Sequence, residues 1–294
     1  ILDMIIDGKA IAKEIKTELA QQVDSLLKEG KRAPHLAAVI VGNDGASLTY
    51  VESMKKNAKE VGFLCSVYKF PENSEEQEVI DAIEFLNNDP EVDGYIIQLP
   101  LPKHISVENL LPHINPDKDV DCFHPQNMGN LVLGKDCYYP ATPYAVMEIL
   151  RRSKIETAGK NCVVVGRSNI VGKPLALLLS QNSANANATV TLCHSKTRDL
   201  KAVCAQAELL VVAIGKPEMI TADYIKPQAV VIDVGIHRIE DNTTEKGYRL
   251  CGDVKYDEVA QLASSITPVP GGVGSVTMCC LLLNIMKSYH KNCK

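Results

Sequence analysis

The first half of the chain carries apolar residues in two patterns, one helical and one typical of strands. Apolar side chains at positions 11, 15, 19, 23 and 26 follow helical spacing until Gly30, so a first helix is predicted over residues 8–29. A capping box at Ser74–Gln77 opens another helix that ends near residue 88. The apolar run from Gly94 meets prolines, which lead its end out of a sheet. The other predicted elements are strands at 35–42, 65–70 and 94–102 and a helix at 48–60.

The second half repeats continuous apolar runs separated by helical stretches. Strands without polar alternation have both faces covered, which is typical of a parallel sheet between helices. The pattern therefore predicts an α/β protein whose C-terminal domain is a Rossmann-like doubly wound parallel sheet, followed by a last helix over about 276–291. The predicted strands lie at 162–166, 188–193, 209–215 and 229–235.

The chain length adds a domain division to this picture. A chain of 294 residues with 46% hydrophobic and 23% charged residues suits about two ordinary globular domains. Thr142–Pro143 has a helix cap followed by a first-turn proline, and this helix is the candidate connector. We expect domains at 1–145 and 146–275, with the last helix packing back on the first.

Charge and cysteine content exclude several classes of function. The net charge is −5 without a run of five like charges, which disfavours nucleic-acid binding. The longest mostly apolar stretch, Val276–Met286, is 11 residues long and too short for a membrane span of ~20 residues. Ten cysteines occur without a C-x-x-C pair, which favours free buried thiols over disulfides or zinc. We therefore expect no metal site and a cytoplasmic protein, with an organellar matrix as the open alternative.

A glycine-containing turn follows the first strand of the second half. In an α/β fold such a turn places backbone N–H groups and a helix N-terminus against phosphate. The spacing Gly166-x5-Gly172 differs from G-x-G-x-x-G and alone is a weak signal. Pro174 after Lys173 removes the hydroxyl that a Walker A loop needs for magnesium. The turn therefore favours a dinucleotide over a P-loop nucleotide.

The end of the next strand indicates which dinucleotide is bound. An NAD-specific fold usually has a carboxylate there for the ribose 2′-hydroxyl, but residues 193–198 contain none. Ser195 and Arg167, with Lys196 or Arg198, offer donors suited to a 2′-phosphate. This favours NADP over NAD, while solvated surface charges remain the alternative for each basic residue.

Several motifs in a fixed order closely resemble the methylenetetrahydrofolate dehydrogenase/methenyltetrahydrofolate cyclohydrolase family. Those in the first half are SLTY at 47–50, VDG at 92–94, QLPLP at 98–102, DKDVD at 117–121 and P-x-TP at 140–143. Those in the second half are GRSNIVGKP at 166–174, ATVTLCHSKT at 188–197, VIDVGI at 231–236, GDV at 252–254 and ITPVPGGVG at 266–274.

The resemblance implies a homodimer whose subunits have two α/β domains flanking a cleft. Tetrahydrofolate one-carbon derivatives would bind mostly to the N-terminal domain and NADP to the C-terminal one. It also implies two consecutive activities of one-carbon metabolism: oxidation of 5,10-methylenetetrahydrofolate, and hydrolysis of the methenyl product to 10-formyltetrahydrofolate.

The resemblance also implies residue roles. Asp121 would accept hydrogen bonds from the pterin, Tyr50 would border the folate ring, and Gln98 would lie near the reacting centre. On spacing alone, a turn-capping aspartate and a packing tyrosine are the alternatives. The implied substrate-binding residues are Tyr50, Lys56, Gln98, Leu99, Asp121, Pro270, Gly271, Gly272, Gly274 and Thr277. The implied cofactor-binding residues are Gly166, Arg167, Ser168, Ile170, Val171, His194, Ser195, Gly215 and Ile236.

One catalytic position departs from the family pattern. The family's lysine lies four residues after the tyrosine, and here that position is Met54, whereas Lys56 matches the pattern's second lysine. A thioether cannot transfer the protons that methenyl hydrolysis requires. We hypothesise that cyclohydrolase activity is severely reduced while the dehydrogenase survives, unless a helix distortion brings Lys55 into the site. A silent folate- or NADP-binding subunit is the alternative, and a generic nucleotide-binding protein is a third.

Two loop positions also depart from the pattern. Cys122 stands where glycine is usual, and Ser275 replaces the proline expected after Gly274. We expect the first to tighten the loop that carries Asp121 and the second to loosen the loop at 268–274.

Overall fold

A computed structural model of the protein describes residues 5–245 and 247–292, and its contacts divide the chain into two compact units. The N-terminal unit comprises Glu14–Pro140 and the chain from Met278 onward. The C-terminal unit comprises the chain up to Lys13 and Ala141–Thr277. This division lies at 140/141, five residues before the predicted 145/146, and the start of the chain belongs with the C-terminal unit. Ile6 N–H donates to Ile266 O at 2.9 Å, a contact between distant residues that local periodicity does not reveal.

The N-terminal unit is built on a three-stranded parallel sheet in the order β2–β1–β3. The central strand is buried from its second residue onward, which explains its continuous apolar sequence. The elements of this half are α1 (Gly8–Lys28), β1 (His35–Val41), α2 (Gly45–Glu60), β2 (Leu64–Phe70), α3 (Glu76–Asn88), β3 (Gly94–Ile97), α4 (Val107–Leu110), a 3₁₀ turn (Leu111–His113) and α5 (Pro125–Val132).

The C-terminal unit contains a five-stranded parallel sheet in the order β10–β7–β6–β4–β5, as expected of a Rossmann-like fold. Its elements are α6 (Ala141–Arg152), β4 (Asn161–Val165), α7 (Gly172–Ser180), β5 (Thr189–Cys193), α8 (Leu200–Cys204), β6 (Leu209–Val212), a 3₁₀ turn (Ala222–Tyr224), β7 (Val230–Asp233), β8 (His237–Glu240), β9 (Tyr248–Cys251), α9 (Tyr256–Val259) and β10 (Ser265–Ile266). The last helix, α10 (Val273–Asn292), starts here, and from Met278 it belongs to the N-terminal unit.

Several predicted boundaries were wrong for identifiable reasons. The third strand ends at Ile97 instead of 102, because Pro100 and Pro102 have no N–H to continue the ladder. The capping box is formed by Glu75 and Glu78, one residue later than predicted, with Glu75 N–H donating to Glu78 Oε2 at 2.9 Å. Helix α2 starts three residues earlier than predicted.

The described residues also provide information on cysteine pairing, membrane spans and metal sites. The nine described cysteines are all free, and eight of them are buried, as predicted. No helix within residues 5–245 and 247–292 is long and apolar enough to cross a membrane. Over the same residues, no group of three or more His, Cys, Asp or Glu side chains is arranged to hold a metal ion.

Cys122 has a left-handed backbone, with φ of +61°. Its thiol is buried with 3% exposure, and its Sγ lies 3.7 Å from Met128 Sδ. A non-glycine residue in this region costs about 1–2 kcal/mol, because Cβ crowds the following carbonyl. The departure from glycine therefore places backbone strain in the loop beside Asp121.

We expect Cys122→Gly to have a larger free energy of unfolding than Cys122→Ala, by about 0.5–1 kcal/mol. Both substitutions remove the thiol, but only glycine relieves the strain. Urea unfolding measures the difference. The matched control is Cys137, which is buried without a positive φ, so there the alanine variant should be the more stable. If Cys122→Ala equals or exceeds Cys122→Gly, Cys122 is not strained.

Candidate functional site

Helix α2 of the N-terminal unit presents the predicted tyrosine and methionine one turn apart. Asp44 caps the helix and accepts a hydrogen bond from Ser47 N–H at 2.8 Å. Tyr50 is partly exposed, whereas Met54 is completely buried. Lys55 lies on the exposed side of the same helix and pairs with Glu52 at 3.1 Å.

Lys56, the second lysine of the pattern, is exposed on the same helix. Both neighbouring ammonium groups therefore belong to exposed residues, whereas the side chain of residue 54 is buried.

The acidic motif at 117–121 uses four of its five residues for structure. Asp117 pairs with Lys291, and Val120 is fully buried in the core. Lys118 Nζ donates to Leu86 O at 2.8 Å and to Asp89 O at 2.5 Å, which binds the end of α3. The buried Asp119 accepts hydrogen bonds from Phe123 N–H at 3.0 Å, His124 N–H at 2.8 Å and Asn127 Nδ2 at 2.9 Å.

Asp121 alone keeps its carboxylate free of hydrogen bonds to any residue that the structure describes. The surrounding protein raises its pKa to about 7, mainly by burial and also by the charge of Asp119. Burial likewise raises the pKa of Tyr50, with the Asp121 charge as a second cause. Tyr50 and Asp121 therefore interact electrostatically, and the carboxylate is available to a ligand.

Gln98 follows β3 directly and lies near the start of α2. Its Nε2 donates to Leu99 O at 2.7 Å, and Ser47 Oγ lies 3.3 Å from the same oxygen. Gln98 Oε1 accepts no hydrogen bond from the described residues. This arrangement leaves the amide oxygen of Gln98 available.

In the C-terminal unit, the turn between β4 and α7 requires glycine at two positions. A Cβ on Gly166 would lie 2.0 Å from Ala213 O, and one on Gly172 would lie 1.8 Å from Gly166 O. Ser168 Oγ accepts from Val171 N–H at 3.1 Å and approaches Gly172 N at 3.4 Å. The N–H groups of residues 167–170 have no acceptor within the part of the chain that the structure describes. Free N–H groups before a helix suit an anionic ligand.

The predicted cofactor residues collect at the carboxyl ends of neighbouring strands. Val165 pairs with Cys193, so Arg167 and Ser195 follow adjacent strand ends, and both are exposed. The Nδ1 atom of His194 accepts from Lys196 N–H at 3.1 Å, which leaves its Nε2 for a ligand. The other predicted residues at this edge are Ile170 and Val171 after β4, Gly215 after β6 and Ile236 after β7, with both isoleucines exposed.

The loop at 268–275 belongs to the C-terminal unit, although the resemblance assigned it to the substrate. It lines a cavity of about 260 Å³ together with residues 233–236. Gly271 has a φ of +110°, and a Cβ on Gly272 would lie 2.6 Å from Pro268 O. Thr277 Oγ1 donates to Val273 O at 3.1 Å within α10. Pro270 and Gly274 are the other predicted residues of this segment.

Two buried aspartates of this unit were not predicted as functional. Asp233 ends β7 and Asp253 follows β9, and both accept several backbone hydrogen bonds. An acidic residue at the end of an apolar strand, as in VVID, was the available signal. Their partners lie as many as 39 residues away, which local spacing cannot indicate.

Comparisons with known proteins identify the family of the chain. Residues 6–121 match the tetrahydrofolate dehydrogenase/cyclohydrolase catalytic domain, and residues 140–293 match the NAD(P)-binding domain of the same family. The chain is 50% identical to the bifunctional protein FolD of Cytophaga hutchinsonii over 97% of its own length and 98% of that protein.

Solved structures agree with this match. The FolD methylenetetrahydrofolate dehydrogenase/cyclohydrolase of Campylobacter jejuni superposes with a TM-score of 0.91 at 42% identity, covering 98% of this chain and 99% of the other. The Trypanosoma brucei methylenetetrahydrofolate dehydrogenase-cyclohydrolase, complexed with NADP cofactor and inhibitor, gives 0.91 at 38% identity, covering 99% and 98%. The chain therefore belongs to the bifunctional tetrahydrofolate dehydrogenase/cyclohydrolase family, as its motifs indicated.

Proposed function

We propose that this protein oxidises 5,10-methylenetetrahydrofolate with NADP and has an impaired cyclohydrolase step. The main support for folate as the substrate is the free carboxylate of Asp121. Its neighbours in the motif are used by the fold, whereas its carboxylate has no partner among the described residues. A carboxylate can accept two N–H groups from one edge of a pterin, which matches the free acceptors of Asp121.

Tyr50 and Gln98 complete the substrate contacts in this proposal. Tyr50 borders the ring beside the Asp121 carboxylate, as their electrostatic interaction supports. Gln98 offers its free Oε1 near the one-carbon bridge, while its own Nε2 is held by Leu99 O. Lys56, on the exposed side of α2, suits the negatively charged tail of the substrate better than the reacting centre.

The C-terminal unit fits a dinucleotide with a 2′-phosphate. Gly166 and Gly172 let the backbone of this turn pack tightly on itself, and the free N–H groups at 167–170 suit the pyrophosphate. Arg167 and Ser195 supply donors, and no acidic residue follows β5 before Asp199. The NADP complex of the Trypanosoma brucei relative supports the same cofactor. When bound, NADP accepts the hydride.

The chain contributes positioning to the oxidation, because hydride leaves the methylene carbon without a proton transfer. Holding the two reacting carbons in contact is then the main requirement. Tyr50, Gln98 and Asp121 orient the folate without a titrating lysine. The dehydrogenase activity should therefore survive with methionine at position 54.

The hydrolysis has a different requirement. Water adds to the methenyl carbon and loses a proton, and the bond to N5 then breaks as that nitrogen is protonated. General acid–base help in such a step is typically worth about 10²–10⁴-fold. Met54 is completely buried and cannot titrate, and Lys55 is paired with Glu52 on the exposed face. A silent ligand-binding subunit is the second candidate function, favoured by the same methionine.

We further infer a homodimer, in a reducing compartment such as the cytoplasm because the described cysteines are all free. Strand β2 lies at the edge of its sheet, with Leu64 exposed and Tyr68 packed against the exposed Phe85 at a centroid distance of 6.2 Å. An exposed edge strand with apolar neighbours is a typical association surface. Together with the family resemblance, this patch supports association of two copies.

The two activities should separate when NADPH formation at 340 nm and decay of added methenyltetrahydrofolate are measured. We expect dehydrogenase turnover together with hydrolysis close to the uncatalysed rate. Met54→Lys should accelerate hydrolysis by about 10²-fold or more. Met54→Gln is the matched control, because it is polar and of similar length but does not titrate. Equal hydrolysis by all three proteins, well above background, would refute the role of position 54, and tight NADP binding without turnover would support the silent subunit.

Arg167→Ala should raise the KM for NADP by about 10–100-fold and change the KM for NAD little, since a charge-assisted hydrogen bond is worth about 1.5–3 kcal/mol. Steady-state kinetics with both cofactors measures the preference. Lys173→Ala removes the same charge from the start of α7, next to this turn, where Lys173 Nζ donates to Asn169 Oδ1 at 2.7 Å, and should retain the preference. An unchanged preference in Arg167→Ala would exclude it as the 2′-phosphate donor.

Asp121→Asn should abolish folate turnover and stabilise the ligand-free protein above pH 7. Asp121 has a pKa of about 7 in the fold, above its ordinary 3.8, so the folded state binds the extra proton. Its contribution to the free energy of unfolding therefore falls as pH rises from about 4 to 7. The variant removes the free-energy cost of keeping an ionised carboxylate at this position, which is roughly 2 kcal/mol after screening of the partly exposed group. Urea unfolding at pH 5 and 8 measures it.

The control for Asp121 is Asp119, a buried carboxylate of the same motif. Asp119→Asn should destabilise the protein at both pH values, because its three donors lose a charged acceptor. A loss of stability in Asp121→Asn at pH 8 would show that Asp121 is structural.

A further inference from the structure

Asp253 binds one turn of backbone at the carboxyl end of β6. Its completely buried carboxylate accepts from the N–H groups of Ile214 at 2.7 Å, Gly215 at 3.1 Å and Lys216 at 2.8 Å. Its fourth partner is His237 Nε2, at 2.7 Å from Oδ1, on a side chain with 19% exposure. One carboxylate therefore determines the conformation of three consecutive residues, in which Gly215 has a φ of +70°.

Asp233 binds the segment that carries Asp253. It accepts from Asp253 N–H at 3.0 Å, from Val254 N–H at 2.9 Å and from Gly235 N–H at 3.0 Å. Its own N–H donates to Thr267 Oγ1 at 2.8 Å, which connects it to the start of the 268–275 loop. The two aspartates thus link the segments after β6, β7 and β10.

The glycines of the two motifs make room for these carboxylates. A Cβ on Gly252 would lie 1.8 Å from Asp233 Oδ2, and one on Gly235 would lie 2.5 Å from Asp253 Cγ. VIDVG and GDV therefore form one interlocking arrangement, in which each glycine lies against the aspartate of the other motif.

This arrangement also distinguishes the two glycine turns at the sheet edge. The N–H groups of residues 214–216 are all occupied by Asp253, so this turn cannot donate them to an anion. The N–H groups of residues 167–170 remain without acceptors among the described residues. Of these two turns, only the one after β4 therefore has free backbone N–H groups for the pyrophosphate, and the backbone of the turn after β6 offers carbonyl oxygens and its glycine surface.

We propose that Asp253 and His237 are positioning residues for the dinucleotide: they hold the 214–216 turn in the conformation that binds the uncharged part of NADP. The proposal rests on the proposed function. Among the described residues, His237 supplies the one side-chain donor to a carboxylate whose other donors are backbone N–H groups. Its loss leaves a buried acceptor site unfilled and loosens the turn without dismantling the fold.

His237→Leu and His237→Gln test the proposal, because the glutamine amide can replace the Nε2 donor. We expect His237→Leu to raise the Kd for NADPH and the KM for NADP by about tenfold, the effect of one hydrogen bond to a charged group. The KM for methylenetetrahydrofolate should stay within twofold, and His237→Gln should recover most of the affinity. NADPH fluorescence measures the Kd without turnover.

The controls separate positioning from general destabilisation. His113→Leu removes another histidine–carboxylate pair, with Glu84 at 3.2 Å, and should leave the Kd for NADPH unchanged. Asp253→Asn should weaken NADPH binding more than His237→Leu; if it does not fold, the histidine variants decide. Unchanged NADPH affinity in His237→Leu, or an equal rise in both KM values, would overturn the proposal. Wild-type NADPH binding without folate turnover would refute the proposed function and leave this inference standing.

Discussion

Buried carboxylates that accept backbone N–H groups hold the loops of both units in place. Asp119, Asp233 and Asp253 each accept three or four hydrogen bonds while almost completely buried. Removing a carboxylate from water costs several kcal/mol, and charge-assisted hydrogen bonds are the compensation available in the interior. The loops that follow parallel strands have N–H groups that lack a partner in the sheet. These aspartates accept hydrogen bonds from such N–H groups, and the same bonds offset the cost of burying the carboxylates.

The same chemistry explains why Asp121 differs from its neighbours. Burial raises the pKa of both Asp119 and Asp121, but hydrogen-bond donors oppose the rise only at Asp119. Asp121, with a pKa raised to about 7, has no hydrogen-bond partner among the described residues. A buried carboxylate without hydrogen-bond donors lowers the stability of the ligand-free protein. A ligand that supplies those donors removes this loss when it binds. This is the energetic pattern expected of a binding residue.

Features determined by local sequence were predictable, and features determined by distant partners were not. The apolar runs at 162–166 and 209–215 predicted β4 and β6 because continuous burial has a direct sequence pattern. The two-residue β10 is too short to produce such a pattern. The departure at Cys122 was visible in the sequence, but its positive φ was not. The aspartates of VIDVGI and GDV could be recognised in the sequence as parts of motifs. Their packing against each other could not, because it depends on contacts between residues 20 positions apart.

Position 54 shows how the two family activities can differ in what they demand of one side chain. In the proposed function, oxidation needs the folate and the cofactor in contact, and Asp121 and Gln98 serve that need as hydrogen-bond acceptors, with no proton transfer at the one-carbon bridge. Hydrolysis needs a group that exchanges protons at the one-carbon bridge. Met54 is completely buried, and the nearest ammonium group in sequence, that of Lys55, is exposed and pairs with Glu52. Because a thioether can fill a packed site but cannot transfer protons, we expect the oxidation to tolerate methionine at position 54 and the hydrolysis to be slowed by it.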